Sequence, residues 1–354
     1  MEAADTGSRR RHFASDNYSG ICPEVWQALE EANFGHTPGY GEDPWTARAR
    51  KMIQDLFERD CEVFFAFSGT AANGLVAASA CQSFHSVLCH EFAHLETDEC
   101  GAPGFFAHGL TLVTLPGENG KLIPAKLAEA AVRRTDVHAS RPGAISFAQS
   151  TEVGTVYTPN EIAAFGAVAR KFELSLHMDG ARFANAVAAL NVAPAALTWR
   201  AGVDVLSFGG TKNGMAYGDA VVFFNRELAR NFEYRLKQSG QLASKMRFLS
   251  AQWIGILTEG AWLRHAAHAN KMAELLEQGL RGIGRAEVLF PREANAVFVK
   301  LPPEVLDALR ACGHRFYTDV GPGGAARLMC SWDTREDDVD ALVSDIGRLL
   351  VESR

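Results

Sequence analysis

The sequence predicts an α/β protein: a large domain with a mostly parallel, doubly wound sheet, then a smaller α/β C-terminal domain. Three observations carry that expectation. Short apolar runs alternate with helical patterns through the middle of the chain, as in βαβ construction. Those runs are apolar almost throughout rather than at every second position, which suits strands covered on both faces. From about residue 251 the pattern changes to one long helical stretch and two separated strands. The expected division is an N-terminal segment over 1–22, a large domain over 23–250 and a small domain over 251–354.

The candidate strands, in order, are "CEVFFAFS" (61–68), "SVLCH" (86–90), "LTLVTLP" (110–116), "GAISFAQS" (143–150), "LSLHMD" (174–179), "VDVLSF" (203–208) and "DAVVFFN" (219–225). Between them lie helix-like segments at 70–81, 124–133, 159–172 and 181–190. Pro124 and Pro159 fall in the first turn of two of these, where a missing N–H costs no hydrogen bond. Downstream, "ILTEGAWLRHAAHANKMAELLEQGLRGI" reads as a single helical stretch leading into the strand "AVFVKL". A helix over 303–311, the strand "ARLMCSW" and a closing helix to Leu350 complete the small domain. No internal repeat or low-complexity segment is visible.

Composition narrows the partners. The chain has 354 residues, 47% hydrophobic and 22% charged, an ordinary globular make-up with room for a large core. A net charge of −7 argues against nucleic acid or an anionic membrane as the main partner. No apolar run reaches the roughly 18–20 residues of a membrane span. The opening "MEAADTGSRRRH" is basic but has no apolar stretch behind it, so it reads as a loose tail and not a secretory signal. Seven dispersed cysteines without a CxxC pair suggest reduced thiols in a cytoplasmic protein.

Ligands of open α/β sheets bind at the carboxyl ends of strands, and four features fall at such ends. "SGTAANG" (68–74) runs from a strand into a helix, which is either a plain βα turn or a cradle for a phosphate. In "HMDGARFANA", Asp179 closes an apolar strand and Arg182 follows. That carboxylate is either a helix N-cap beside a surface arginine or a desolvated group that needs a cationic or N–H partner. In "SFGGTKNGM", Lys212 stands among Gly209, Gly210 and Gly214, where the backbone can close tightly around a ligand. In "CHEFAHLETDEC", His90-Glu91-Phe92-Ala93-His94 fits the HExxH zinc pattern, which also requires a helix and a third ligand. A phosphate cradle, a carboxylate and a lysine on successive strand ends suit pyridoxal 5'-phosphate. The lysine condenses with its aldehyde, the carboxylate pairs with its ring nitrogen, and the turn holds its phosphate.

The motifs "SDN" (15–17), "PGYGEDPWT" (38–46), "FSGTAAN", "EFAHLETDECGAP", "DVH" (136–138), "HMDGARFANA", "SFGGTKNG" and "ARLMCSW" run in one order from about residue 12 to 350. In that set the chain resembles the L-threonine aldolases, within the fold-type-I pyridoxal-phosphate enzymes related to β-eliminating lyases. The resemblance implies a fold-type-I architecture with the cofactor aldehyde on Lys212 and its ring nitrogen on Asp179. Gly69 and Thr70 would hold the phosphate, and His94 would stack on the ring instead of binding zinc; no metal is implied. Ser15, Arg182 and Arg327 would bind the substrate carboxylate, Arg182 also lying against the cofactor. His138 would stand near the substrate hydroxyl and take its proton, with His94 in support. Tyr40 and Glu42 would line the site. Tyr40, Lys237 and Arg247 would act across a subunit interface, the last two on the phosphate. The implied assembly is a homo-oligomer, a tetramer of two dimers with sites between subunits. The implied activity is retro-aldol cleavage of L-threonine, L-allo-threonine and related β-hydroxy-α-amino acids, phenylserine among them, to glycine and an aldehyde. β-Elimination on the same scaffold is the rival, because it uses the same lysine, aspartate and arginine.

Overall fold

The computed structural model describes residues 12–134, 136–318 and 324–353. All seven expected strands form one sheet: β1 (Glu62–Ala66), β2 (His85–His90), β3 (Thr111–Leu115), β4 (Arg141–Ala148), β5 (Ser175–Gly180), β6 (Val205–Gly209) and β7 (Asp219–Phe223). Their order is β1-β7-β6-β5-β4-β2-β3. The pairs from β3 through β6 are parallel, while β7 runs antiparallel to both β6 and β1. Chain length explains the reversal. A parallel crossover takes about a dozen residues or more, and only residues 210–218 separate β6 from β7.

The expected helices cover the sheet. Gly69–Ala80, Pro124–Val132, Pro159–Phe172 and Phe183–Leu190 follow β1, β3, β4 and β5 in turn. Pro159–Phe172 starts with a capping box: Thr158 accepts from the Glu161 N–H and Glu161 accepts from the Thr158 N–H. The main core fills the interior with Phe57, Phe65, Phe147, Phe183, Phe208 and Trp253.

The long helical stretch is not one helix. It divides into Arg247–Leu257 and Ala261–Arg281, joined by the turn Thr258–Gly260. Glu259 and Gly260 take φ of 50° and 69° there, left-handed values at which an α-helix ends and which glycine adopts without strain. The second helix spans two cores: Trp262 and Ala266 pack in the main one, while Met272, Leu276 and Leu280 pack in a second. That second core backs a small antiparallel sheet, β8 (Glu287–Val288), β9 (Ala296–Lys300), β10 (Tyr317–Thr318) and β11 (Ala326–Met329), in the order β10-β11-β9-β8. The helices Pro303–Ala311 and Glu336–Glu352 also pack into it.

Phe13 is fully buried in the second core. Its N–H donates to the Arg315 carbonyl (2.7 Å), and its carbonyl accepts from the Met329 N–H (2.8 Å). The start of the described chain is thereby laid along the small sheet, which carries residues 14–17 to the edge of the large one. Among the described residues no helix is long and apolar enough to cross a membrane, and all seven cysteines are unpaired.

One polar chain crosses the middle of the large sheet. The buried His177 of β5 is hydrogen-bonded to Ser146 of β4 through Nδ1 (2.9 Å) and to Ser207 of β6 through Nε2 (3.0 Å). Burial pushes its pKa down to about 4, against the pull of nearby Asp179. The unfolded chain therefore binds a proton here between about pH 6.5 and 4 that the folded chain refuses, so stability falls as pH drops through that window. We expect urea midpoints of the wild type to fall between pH 7 and 5, with His177 contributing up to roughly 1.4 kcal/mol per pH unit. His177→Asn should flatten that dependence; an unchanged slope would rule out a neutral His177.

Candidate active site

A cleft opens at the carboxyl ends of the parallel strands, and Lys212 stands in it. The lysine lies on the one-turn segment Thr211–Asn213 that follows β6. Close packing dictates the glycines around it. A Cβ at Gly209 would fall 2.8 Å from both Cα and the carbonyl oxygen of Ala181, so any side chain would push β6 off the end of β5. Gly214 has φ +105°, and a Cβ there would meet Cys22 at 2.9 Å. Asn213 anchors the turn by donating to the Trp262 carbonyl (2.8 Å). Lys212 itself has no hydrogen bond or ion pair among the described residues. Burial lowers its pKa, and the Arg182 charge lowers it further, against the pull of Asp16, Asp179 and Asp219. An amine held in that way is one that can lose its proton and attack a carbonyl.

Asp179, near the end of β5, is buried. Its Oδ1 accepts from the Ala181 N–H (3.0 Å) and its Oδ2 from Asn73 Nδ2 (2.9 Å). It is not a helix cap, because the following helix begins at Phe183 with Arg182 in the N-cap position. Arg182 is no surface residue either. Its Nε and one terminal nitrogen grip the two oxygens of buried Asp16 at 2.7 and 2.9 Å. Asn295, which precedes β9, donates to the same Asp16 carboxylate (3.1 Å).

Gly69 and Thr70 open the helix after β1, with Ser68 Oγ accepting from the Ala71 N–H. The amides of Gly69 and Thr70 have no acceptor among the described residues, and they point the positive end of a helix into the cleft. His94 donates its backbone N–H to Glu152 Oε1 (2.9 Å), and its Nδ1 is bonded to Glu99 Oε1 (2.9 Å). The Glu99 bond raises the His94 pKa, with burial opposing, while burial raises that of Glu99. Asn73 Nδ2 donates both to Glu99 (2.9 Å) and to Asp179. The HExxH pattern has no helix under it. His90 ends β2 and is bonded through Nε2 to the Gly117 carbonyl, whereas His94 starts the short helix His94–Thr97.

Arg327, on β11, donates to the Ala14 carbonyl (3.1 Å) and lies over the Tyr317 ring at 5.3 Å. Its Nε is buried without a partner among the described residues, and burial lowers its pKa. Ser15 Oγ accepts from the Asn17 N–H and caps a single turn.

The remaining expected residues lie elsewhere. His138 occupies an exposed turn just before β4, at the amino end of the sheet. The 8 residues of β4 separate that turn from the cleft, about 26 Å at 3.3 Å per residue. Within one chain His138 does not meet the substrate site. Tyr40 and Lys237 touch each other, ammonium over ring at 4.5 Å. Arg247 donates to the Gly35 carbonyl (3.1 Å), and Glu42 is exposed. All four sit on the surface of the chain and do not line the cleft.

Five functional candidates escaped the sequence reading. Asp16, Asn73 and Glu99 lie inside quoted motifs, but their partners are far away in sequence. Glu152 follows β4 and Asp219 begins β7, so both stand at the same sheet edge as Asp179, and a systematic search for strand-end carboxylates would have found them. Burial, reinforced by the Asp179 charge, pushes each of these two up to about 7, although Lys212 pulls Asp219 back.

Comparison with known proteins agrees with this geometry. The model of the beta-eliminating lyase family matches residues 12–302. A low specificity L-threonine aldolase of Pseudomonas sp. (strain NCIMB 10558) is 59% identical over 340 residues, 96% of this chain and 98% of that protein. A Pseudomonas aeruginosa protein of the same name is 57% identical over 336 residues, 95% of this chain and 97% of its own length. A solved Leishmania major threonine aldolase superposes with a TM-score of 0.90 at 30% identity, covering 96% of this chain and 99% of that one.

The Arg182–Asp16 pair yields a direct test. Asp16→Ala leaves a largely buried guanidinium without its counter-charge, which should cost about 3 kcal/mol or more in chemical denaturation. A loss below 1 kcal/mol would mean that solvent or another group compensates Arg182.

Proposed function

The chain belongs to the beta-eliminating lyase family, and from that premise we propose that it cleaves L-threonine, L-allo-threonine and related L-β-hydroxy-α-amino acids to glycine and an aldehyde, using pyridoxal 5'-phosphate. One observation supports this above the others. A lysine with a lowered pKa and no hydrogen bond or ion pair among the described residues, a buried carboxylate and an open helix N-terminus face a single cleft. The high identity to low specificity L-threonine aldolases across nearly the whole chain supports the substrate class.

The residues present fit the cofactor. The free amides of Gly69 and Thr70 and the helix dipole suit a phosphate dianion. Asp179, oriented by Ala181 and Asn73, suits a protonated ring nitrogen. Lys212 suits the aldehyde, and His94, braced by Glu99, suits the ring face. When bound, the cofactor supplies an electron sink conjugated to the substrate amine, so that a Cα bond held perpendicular to its ring breaks readily.

The chain's own residues choose that bond. Arg327, held at the Ala14 carbonyl and within electrostatic reach of Arg182 and Asp16, would clamp the substrate carboxylate from the small sheet. Arg182, already fixed by Asp16, would add a second positive charge with its remaining nitrogen and lie against the cofactor. Residues 12–22 serve the site in this reading by supplying Ser15 and Asp16, with 23–250 and 251–354 as the large and small domains. Tyr40, Lys237 and Arg247 would complete the site of a second subunit, in an assembly of at least two chains; their clustering on the surface outside this chain's cleft supports it.

The purified protein should absorb near the visible–ultraviolet edge and lose that band on borohydride treatment. With L-threonine it should release glycine and acetaldehyde; ammonia and a keto acid instead would assign it to β-elimination. Lys212→Ala should bring turnover to background, and substantial retained turnover would overturn the assignment. Arg327→Ala should raise KM for L-threonine by about 10- to 100-fold, as for loss of a charged hydrogen bond of about 1.5–3 kcal/mol.

A further inference from the structure

We propose that Glu152 is the general base of the cleavage, taking the proton of the substrate's β-hydroxyl group. This rests on the aldolase reading above and names a group for the step that His138 cannot perform within one chain. As the hydroxyl proton passes to Glu152, the C–O bond becomes a carbonyl and the Cα–Cβ bond breaks. The electron pair of that bond stays with Cα until a proton returns there and yields glycine.

Geometry singles out this carboxylate. Glu152 follows β4 and lines the cleft together with Lys212, Asp179 and His94. The His94 N–H holds its Oε1 at 2.9 Å, and no other side chain among the described residues bonds its carboxylate. The carboxylate is thus fixed in place and left to accept a proton. The alternatives are engaged elsewhere. His94 has Nδ1 on Glu99, and that bond favours its protonated form, which is poor as a base. Glu99 is buried beneath His94 and does not line the cleft. Asp219 stands at the opposite end: one of its oxygens lies 3.7 Å from where a Gly69 Cβ would be, beside the amides suited to phosphate.

The surroundings also suit the role. Facing Glu152 are Asp179 of β5, Arg182 just after it and His94. Cys89 of β2 and Tyr157 are near as well, but burial raises both pKa values and keeps them neutral. Burial and Asp179 together bring Glu152 up to about 7, where a base is both available and strong enough to accept a hydroxyl proton. Two carboxylates with different surroundings divide the work: Asp179 is held by the Ala181 N–H and the Asn73 side chain, Glu152 by backbone N–H groups alone at the cleft wall.

Two measurements test this. In cofactor-free protein labelled with 15N-histidine, the His94 amide should show, besides the transition of its own imidazole, a second transition with a midpoint near pH 7 that Glu152→Gln removes. A His94 amide that is insensitive to Glu152 would overturn the proposal. In the loaded enzyme, exchange of the glycine Cα proton in D2O needs no β-hydroxyl base. Glu152→Gln should therefore lower the ratio of L-threonine cleavage to glycine exchange by about 10²-fold or more, the weight of a general base. It should also remove the ascending limb of the kcat/KM pH profile near 7. An equal loss of both reactions would make Glu152 a positioning residue only, and undiminished cleavage would exclude it. A wild type that exchanges glycine but does not cleave threonine would sink the aldolase reading instead.

Discussion

The bidentate contact between Arg182 and Asp16 governs the cleft in two ways. Mechanically, Asp16 arrives on a segment anchored in the second core by Phe13, and Asn295, just before β9, holds the same carboxylate. The contact therefore ties the end of β5 to the small sheet, and Arg327 is delivered from that sheet to the same place. Electrostatically, Arg182 is a cation near Lys212 and depresses the lysine pKa. Without Asp16 the guanidinium would have no counter-charge; without Arg182, Asp16 would be a buried carboxylate pulling the lysine toward its charged form. One pair thus bears on both the position of the small sheet's arginine and the reactivity of the lysine.

Carboxylates crowd the other wall, and the protein keeps them from acting alike. Asn73 donates to Glu99 and to Asp179 from a single nitrogen, so it fixes their separation while lowering the cost of ionising Glu99. Glu99 then spends its charge on His94. Burial, with the Asp179 charge, pushes Glu152 and Asp219 up to about 7. Like charges brought together at a sheet edge cannot all be ionised. Burial and the neighbouring charges decide which are.

Much of this was legible in the sequence because burial on both faces leaves a plain signal. The strands from 61 to 225 stand out as apolar runs, and Asp179 and Lys212 stand out because a charged residue closing such a run must have a use. Pro159 and Thr158 mark their helix start by local chemistry alone. Other features depend on distance in space. Asp16 is one acid in an unremarkable tripeptide until Arg182 is placed beside it. His138 lies in a motif of the expected order, and its place ahead of the strand at 143–150 already sets it at the amino end of β4, away from the strand ends that form the cleft of this chain. The break at Glu259 and Gly260 is signalled by the glycine but masked by the apolar pattern on both sides, because Trp253 and Ile256 before it and Trp262 after it pack in the same core.

The reversal of β7 links topology to chemistry. In a parallel sheet, groups that follow the strands gather at one edge, and a strand can contribute to a site only where it ends. The segment 210–218 is too short to cross back, so β7 returns antiparallel and begins where its neighbours finish. Asp219, the first residue of β7, is therefore level with Gly209 at the end of β6, across from Lys212. The short turn needed to hold Lys212 tightly is what brings a further carboxylate to the lysine, from the wrong end of a strand. A longer, helical connection would have kept β7 parallel and sent Asp219 to the opposite edge, leaving the amine with one acid fewer to balance Arg182.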